Sequence, residues 1–172
     1  MRFSLLPNHI TKSLTDVKPE MLQQWGIQLL MLDFDNTIVP YTTNQPTDEM
    51  VAYLQALCKA DICVCVVSNS RKSRVKQFCA QWGIDCITHA KKPFSKGICA
   101  CMQKYQLPAN CCALVGDQIY TDVLGANCAG VRSILVKAID NHNFWLKARH
   151  VLELPWIFLS RRRHLSMNGN NQ

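Results

Sequence analysis

The chain has 172 residues, 48% of them hydrophobic and 18% charged; that is one domain's worth of residues with enough apolar material for a core, and it excludes a wholly disordered or collagen-like chain. Lys and Arg number 19 against 12 Asp and Glu, a formal charge of +7, which favours anionic partners (phosphate esters, nucleic acid or an anionic membrane surface) without choosing among them. The 10 cysteines form no paired C-x-x-C, and a chain that can fill a core needs no disulfide scaffold, so they read as reduced, small apolar side chains in preference to zinc ligands joined by His89 or His142.

The opening MRFSLLPNHITKSL holds one early Arg and a short apolar stretch broken at Pro7, which fits neither a secretory signal nor a transit peptide. No apolar run reaches transmembrane length, so a soluble, cytoplasmic setting is expected. Beyond it, short apolar runs alternate with amphipathic stretches, the pattern of βαβ units around a parallel sheet. Leu29–Leu32 reads as a buried strand ending at Asp33. Residues 47–59 read as a helix with Met50, Leu54 and Leu57 on one face and Asp48 and Glu49 in its first turn. A strand at 62–67, a helix at 71–82, a short strand at 86–88 and a helix at 95–105 follow. The strand 113–116, the helix 120–129 stopped by Gly130, and the strand 131–136 complete the series. The run Trp156, Ile157, Phe158, Leu159 is expected to pack on the core or as a lid rather than touch a membrane. Residues 160–172, basic at Arg161, Arg162, Arg163 and His164 and then polar, read as a flexible tail to a single domain spanning 1–159.

The acidic residues carry the chemistry. Asp33 and Asp35 follow the first of these strands, and Asp117 and Asp122 follow the strand 113–116. In an open parallel sheet ligands bind beyond the carboxyl ends of the strands, so these two loops converge on one site. Carboxylates crowded there repel unless a cation intervenes, and hard oxygen ligands with room for a substrate oxygen suit Mg²⁺. The turn Ser68, Asn69, Ser70, Arg71 opens the next helix with hydroxyls, an amide and free N–H groups, which can hold a phosphoryl group with Ser68 as a donor. The same groups also serve as a helix cap. Lys91 and Lys92 put an ammonium at this edge, able to stabilise transition-state charge, while Lys96 reads as a solvated helix residue. A lone D-x-D after a strand is commonly a solvated loop; here three further segments accompany it.

In this order and placement D-F-D-N-T, V-V-S-N-S, K-K-P and G-D-Q-I-Y-T-D resemble the four motifs of haloacid dehalogenase-type (HAD) phosphatases. With L-L-P near the start and S-L-T-D-V-K-P-E-M-L, the chain is similar to the YqeG-type phosphatases of HAD subfamily IIIA over residues 5–158. The resemblance implies an α/β, HAD-like Rossmannoid three-layer fold with a parallel central sheet. It makes Asp33 the nucleophile that becomes an aspartyl-phosphate and Asp35 the acid and base. It implies Mg²⁺ held by Asp33, the Asp35 carbonyl and Asp117, a phosphoryl group held by Ser68, Asn69 and Lys92, and Asp122 orienting the metal shell or Lys92. Lys91 competes with Lys92, and the K-P dipeptide favours Lys92. Phosphatidylglycerophosphate phosphatases are related to this group, which brings a lipid phosphate into view as substrate.

HAD enzymes acting on small metabolites usually carry a cap domain. The gap from Asp35 to Ser68 is taken up by a flap at 38–46, one helix and one strand, and the gap from Ser68 to Lys92 by one helix and one short strand, so no cap domain is expected. An open site admits large or surface-bound phosphate esters, by analogy. The leading expectation is a Mg²⁺-dependent phosphomonoesterase. Its competitor is a HAD-like binding module docking on RNA, a ribosome or an anionic membrane with little activity, against which the full set of catalytic residue types speaks.

Overall fold

The apolar tetrapeptide Leu29–Leu32 buries all four side chains, which a strand achieves only where both faces of its sheet are covered. The computed structural model describes residues 3–140, except Tyr41, Asn44 and Lys72, together with Trp156 and Ile157. In it β1 (His9–Ile10), β2 (Leu29–Leu32), β3 (Cys63–Val67), β4 (Asp85–Ile87), β5 (Cys112–Gly116) and β6 (Arg132–Leu135) form one sheet in the order β1-β6-β5-β2-β3-β4. Every pairing is parallel. The central strand β2 aligns Leu29 with Cys63 on one side and Cys112 on the other.

Alternation along the strands builds three layers. Leu30, Leu32, Val66 and Val115 point to a core shared with α1 (Pro19–Gln24), α2 (Asp48–Lys59) and α3 (Ser73–Gln81). Leu29, Met31, Cys65 and Leu114 point the other way, onto α4 (Lys96–Tyr105) and α5 (Leu124–Ala129). Each fully buried Leu of β2 contributes on the order of 1.5–3 kcal/mol. The helices stop where their sequences say: Thr47 caps α2 by accepting from the Met50 N–H at 3.2 Å, and Gly130, at φ +79°, ends α5 in the left-handed conformation. This is the expected α/β three-layer fold, and no cap domain stands among the described residues.

Three elements differ from the expectation. The strand β1 lies at the sheet edge beside β6, and α1 follows it; a two-residue strand and a six-residue helix are too short for hydrophobic periodicity to register. Residues 120–129 are not one uniform helix: Ile119–Val123 forms a widened π-turn that runs into α5. All ten cysteines are free, but Cys58 and Cys63 are exposed rather than buried. Trp156 and Ile157 pack against Ile119, Val123 and Leu135. The expected flexible tail 160–172, with its arginines, lies outside the described residues.

Candidate active site at the carboxyl edge of the sheet

The first acidic loop is tied down at several points. The Asp33 N–H donates to the Val115 carbonyl at 2.9 Å, keeping Asp33 in register with β5. Phe34 is completely buried, which anchors the loop from the other face. The chain then reverses through Asn36 in the left-handed conformation, φ +63°, where an Asn side chain is better tolerated than most. The Asn36 N–H donates to the Val39 carbonyl at 2.8 Å, and its side-chain amide donates to the Asp140 carbonyl at 2.9 Å.

The second acidic loop owes its shape to the π-turn. The Gln118 carbonyl accepts from both the Asp122 and Val123 N–H groups, and the Gln118 N–H donates to Asp122 Oδ2 at 3.1 Å. This folds Asp122 back over the end of β5, into the space above Gly116. A Cβ on Gly116 would lie 2.3 Å from the Asp122 carboxylate, so only glycine allows the approach. Such widened turns concentrate at functional sites.

Lys92 joins the two loops. Its Nζ lies 2.7 Å from Asp33 Oδ1 and 2.7 Å from Asp122 Oδ1, and its side chain is 1% exposed. Asn69 fixes the Lys92 backbone from both directions: its Nδ2 donates to the Lys92 carbonyl at 2.8 Å and its Oδ1 accepts from the Lys92 N–H at 2.7 Å. Lys91, by contrast, is exposed. Buried Ser68 accepts from the Ser70 N–H at 3.0 Å, which leaves its hydroxyl proton directed by whatever acceptor binds beside it. Ser70 precedes α3, which begins at Ser73, so this bond closes a local turn and the helix cap expected at Ser68 is not made.

Asp33, Asp117 and Asp122 are all buried and each offers a carboxylate oxygen within 4.8 Å of the others. Burial pushes Asp122 up to about 6, with Asp33 adding to the rise and Lys92 opposing it. Burial pulls the Lys92 ammonium down, yet Asp122 and Asp33 outweigh it and hold the group protonated above its usual range. One ammonium against three carboxylates leaves an excess of negative charge that a divalent cation matches, and an all-oxygen donor set suits a hard one.

Asp35 faces elsewhere: its Oδ1 accepts from the Arg74 guanidinium on α3. Sequence reasoning missed Arg74, which sits among Arg71, Lys72 and Lys76 and reads as one more solvated cation. The signal for it in the sequence is its spacing from Phe78 at i, i+4 on one face of the helix, continued by Trp82 just beyond the helix end. A cavity of about 600 Å³, lined by Leu54, Cys58, Ile62 and Trp82 among others, lies at the amino ends of β3 and β4, away from this chemistry.

The haloacid dehalogenase-like hydrolase family model matches residues 13–130. The probable phosphatase YqeG of Bacillus subtilis is 33% identical over 131 residues, covering 76% of each chain. Among solved structures, an uncharacterised protein of Listeria monocytogenes superposes with a TM-score of 0.55 at 15% identity, over 69% of this chain and 84% of its own. The cobalt-bound deoxy-D-mannose-octulosonate 8-phosphate phosphatase of Haemophilus influenzae does so with 0.53 at 17% identity, over 75% and 89%. These two likenesses concern the fold.

Proposed function

Because the chain belongs to the haloacid dehalogenase-like hydrolases and is a phosphatase of that family, we propose that it hydrolyses phosphate monoesters in two steps, through a phosphoryl group carried on Asp33, with Mg²⁺ as its metal. The observation that carries this reading is the buried junction at which Lys92 contacts Asp33 and Asp122 with Asp117 alongside.

The Asp33 carboxylate attacks phosphorus, and the bond to the departing alcohol breaks as Asp35 gives that oxygen its proton. Asp35 then takes a proton from the water that attacks the acyl phosphate, releasing inorganic phosphate and restoring Asp33. Lys92 and Ser68 hold the phosphoryl oxygens and stabilise the charge that accumulates on them. Asn69 and Asp122 hold Lys92 in place, one by its backbone and the other by its ammonium. Asp33, Asp117 and the Asp35 carbonyl would hold the Mg²⁺, with Asp122 beside them; when bound, the ion neutralises negative charge on the phosphoryl group.

The substrate we favour is a phosphate on a large or surface-borne alcohol. Three of the four exposed large hydrophobics among the described residues, Phe94, Tyr120 and Ile139, lie in the segments that follow β4, β5 and β6, and no cap domain stands among the described residues. Exposed apolar side chains in those segments suit a lipid-borne phosphate such as phosphatidylglycerophosphate better than a small sugar phosphate. No described helix is long and apolar enough to cross a membrane, so docking from the aqueous side is the geometry to test. The ten free thiols fit a reducing, cytoplasmic compartment.

A Mg²⁺-dependent screen over sugar phosphates, nucleotides, phosphopeptides and vesicle-borne lipid phosphates tests the reading. Turnover on lipid phosphates above the others is expected. Inactivity on the whole panel, with salt-sensitive binding to RNA or acidic vesicles, would establish the binding module instead.

A further inference from the structure

We propose that Arg74 is the positioning residue for the acid and base of this site: it holds the Asp35 carboxylate over the leaving-group oxygen and out of the shell of the metal. This rests on the two-step reading above and goes beyond it, because it adds a helix that no motif of the site contains.

The placement of Arg74 is set by packing. Arg74 and Phe78 lie four residues apart on α3, Trp82 follows at the same spacing just past its end, and the Phe78 and Trp82 rings lie 6.3 Å apart. Phe34, between Asp33 and Asp35, meets Phe78 edge to face with centroids 5.2 Å apart. The Arg74 guanidinium lies 5.1 Å from the centroid of that same Phe34 ring while pairing with Asp35 Oδ1. The nucleophile loop and the helix are therefore locked in register by a buried aromatic contact, and Arg74 is the polar end of that contact. A planar guanidinium stacked on a ring loses little further freedom on pairing with a carboxylate.

Stability is a poor reason for such a pair. Both side chains retain some exposure, 12% for Arg74 and 16% for Asp35, and partly exposed ion pairs contribute about 0–1 kcal/mol. Charge management is a better one. Asp33, Asp117 and Asp122 already converge, and Lys92 is already engaged by two of them. A fourth carboxylate, two residues from the nucleophile, would be drawn to the same divalent cation and cease to move protons. A dedicated cation on the opposite side keeps it apart. Misplacing a reacting group by about 1 Å can cost on the order of 100-fold in rate, so a fixed anchor matters far more to turnover than to folding.

The test is a leaving-group comparison. p-Nitrophenolate departs without a proton, whereas the alcohol of glycerol phosphate needs one. Values of kcat/KM extend only to the first irreversible step, transfer to Asp33, so they isolate the acid role. In Arg74→Ala we expect a loss of about 10–100-fold on glycerol phosphate, part of the 10²–10⁴ typical of general acid catalysis, and no more than about threefold on p-nitrophenyl phosphate. Arg74→Lys should recover part of the loss, and Lys76→Ala, exposed on the same helix, should match wild type. Adding Arg74→Ala to Asp35→Asn should cost nothing more, since the first acts through the second. Equal losses on both substrates, or losses that add to those of Asp35→Asn, overturn the role of Arg74 and leave the phosphatase reading standing. Wild type inactive on every phosphate monoester overturns both.

Discussion

Lys92→Met keeps the length of the stem and deletes the ammonium, which tests the buried junction on stability alone. The side chain is 1% exposed, Asp122 is 2% exposed, and both Lys92 contacts are 2.7 Å, so water cannot replace the lost cation without opening the core. Removing one partner of a buried pair costs about 3–5 kcal/mol, because it strands an uncompensated charge. At about 2–4 °C per kcal/mol for a chain of this size, the melting temperature in EDTA should fall by roughly 6–20 °C. Urea denaturation in EDTA gives the free energy directly. The pH dependence has a definite sign. Lys92 is held protonated above its usual range, so its contribution is complete below the unfolded value near 10.4 and is lost only as pH rises through the folded one. On the acid side Asp122, pushed up to about 6, binds its proton in the folded state before the unfolded chain does, so acidification adds stability between its two values. Because Lys92 opposes that rise, Asp122 takes its proton at still higher pH once Lys92 is gone, so the gap to wild type should narrow as pH falls toward about 6 and change little through Asp122 below it. Asp122→Asn in the Lys92→Met background should recover part of the loss, and saturating Mg²⁺ should raise the variant's melting temperature more than the wild type's. A loss under about 1 kcal/mol in EDTA would refute the reasoning.

Asp33→Asn should abolish turnover with the fold intact by circular dichroism, since the amide is nearly isosteric but no nucleophile; near-normal turnover would remove Asp33 from its role. Asp117→Ala should lower turnover and raise the Mg²⁺ concentration needed for half activity; a metal titration superimposable on wild type would contradict the assignment. Lys92→Ala should cost more activity than Lys91→Ala, because Lys92 is the buried partner of Asp33 and Lys91 faces solvent; the opposite order would transfer the phosphoryl contact to Lys91. Gly116→Ala should destabilise by about 1–3 kcal/mol and displace Asp122, since the added methyl falls 2.3 Å from its carboxylate; a crystal structure with Asp122 unmoved would disprove that packing account.

Strand-end acids, the apolar tetrapeptide at Leu29–Leu32 and the Gly130 stop were legible because each is a local statement: a periodicity, a run or a conformational need within a few residues. The junction at Lys92 was half legible. Lys92, Asp33 and Asp122 could be named from motif order, yet the pairing of Asn69 with the Lys92 backbone depends on where β4 lies beside β3, which is tertiary information. The π-turn at Ile119–Val123 left no trace in hydrophobic pattern, because its cause is the fit of Asp122 against a bare Gly116 and not propensity. Arg74 shows the limit most clearly. Nothing in its neighbourhood separates it from Lys72 or Lys76; what separates it is that Phe34, 40 positions earlier, is buried against Phe78 and so brings the nucleophile loop to one face of α3. A charged residue takes its role from the face it shares with the core, and for that reason the apolar stripe of a helix, read together with the apolar residue inside a catalytic motif, points to cations that motif order alone passes over.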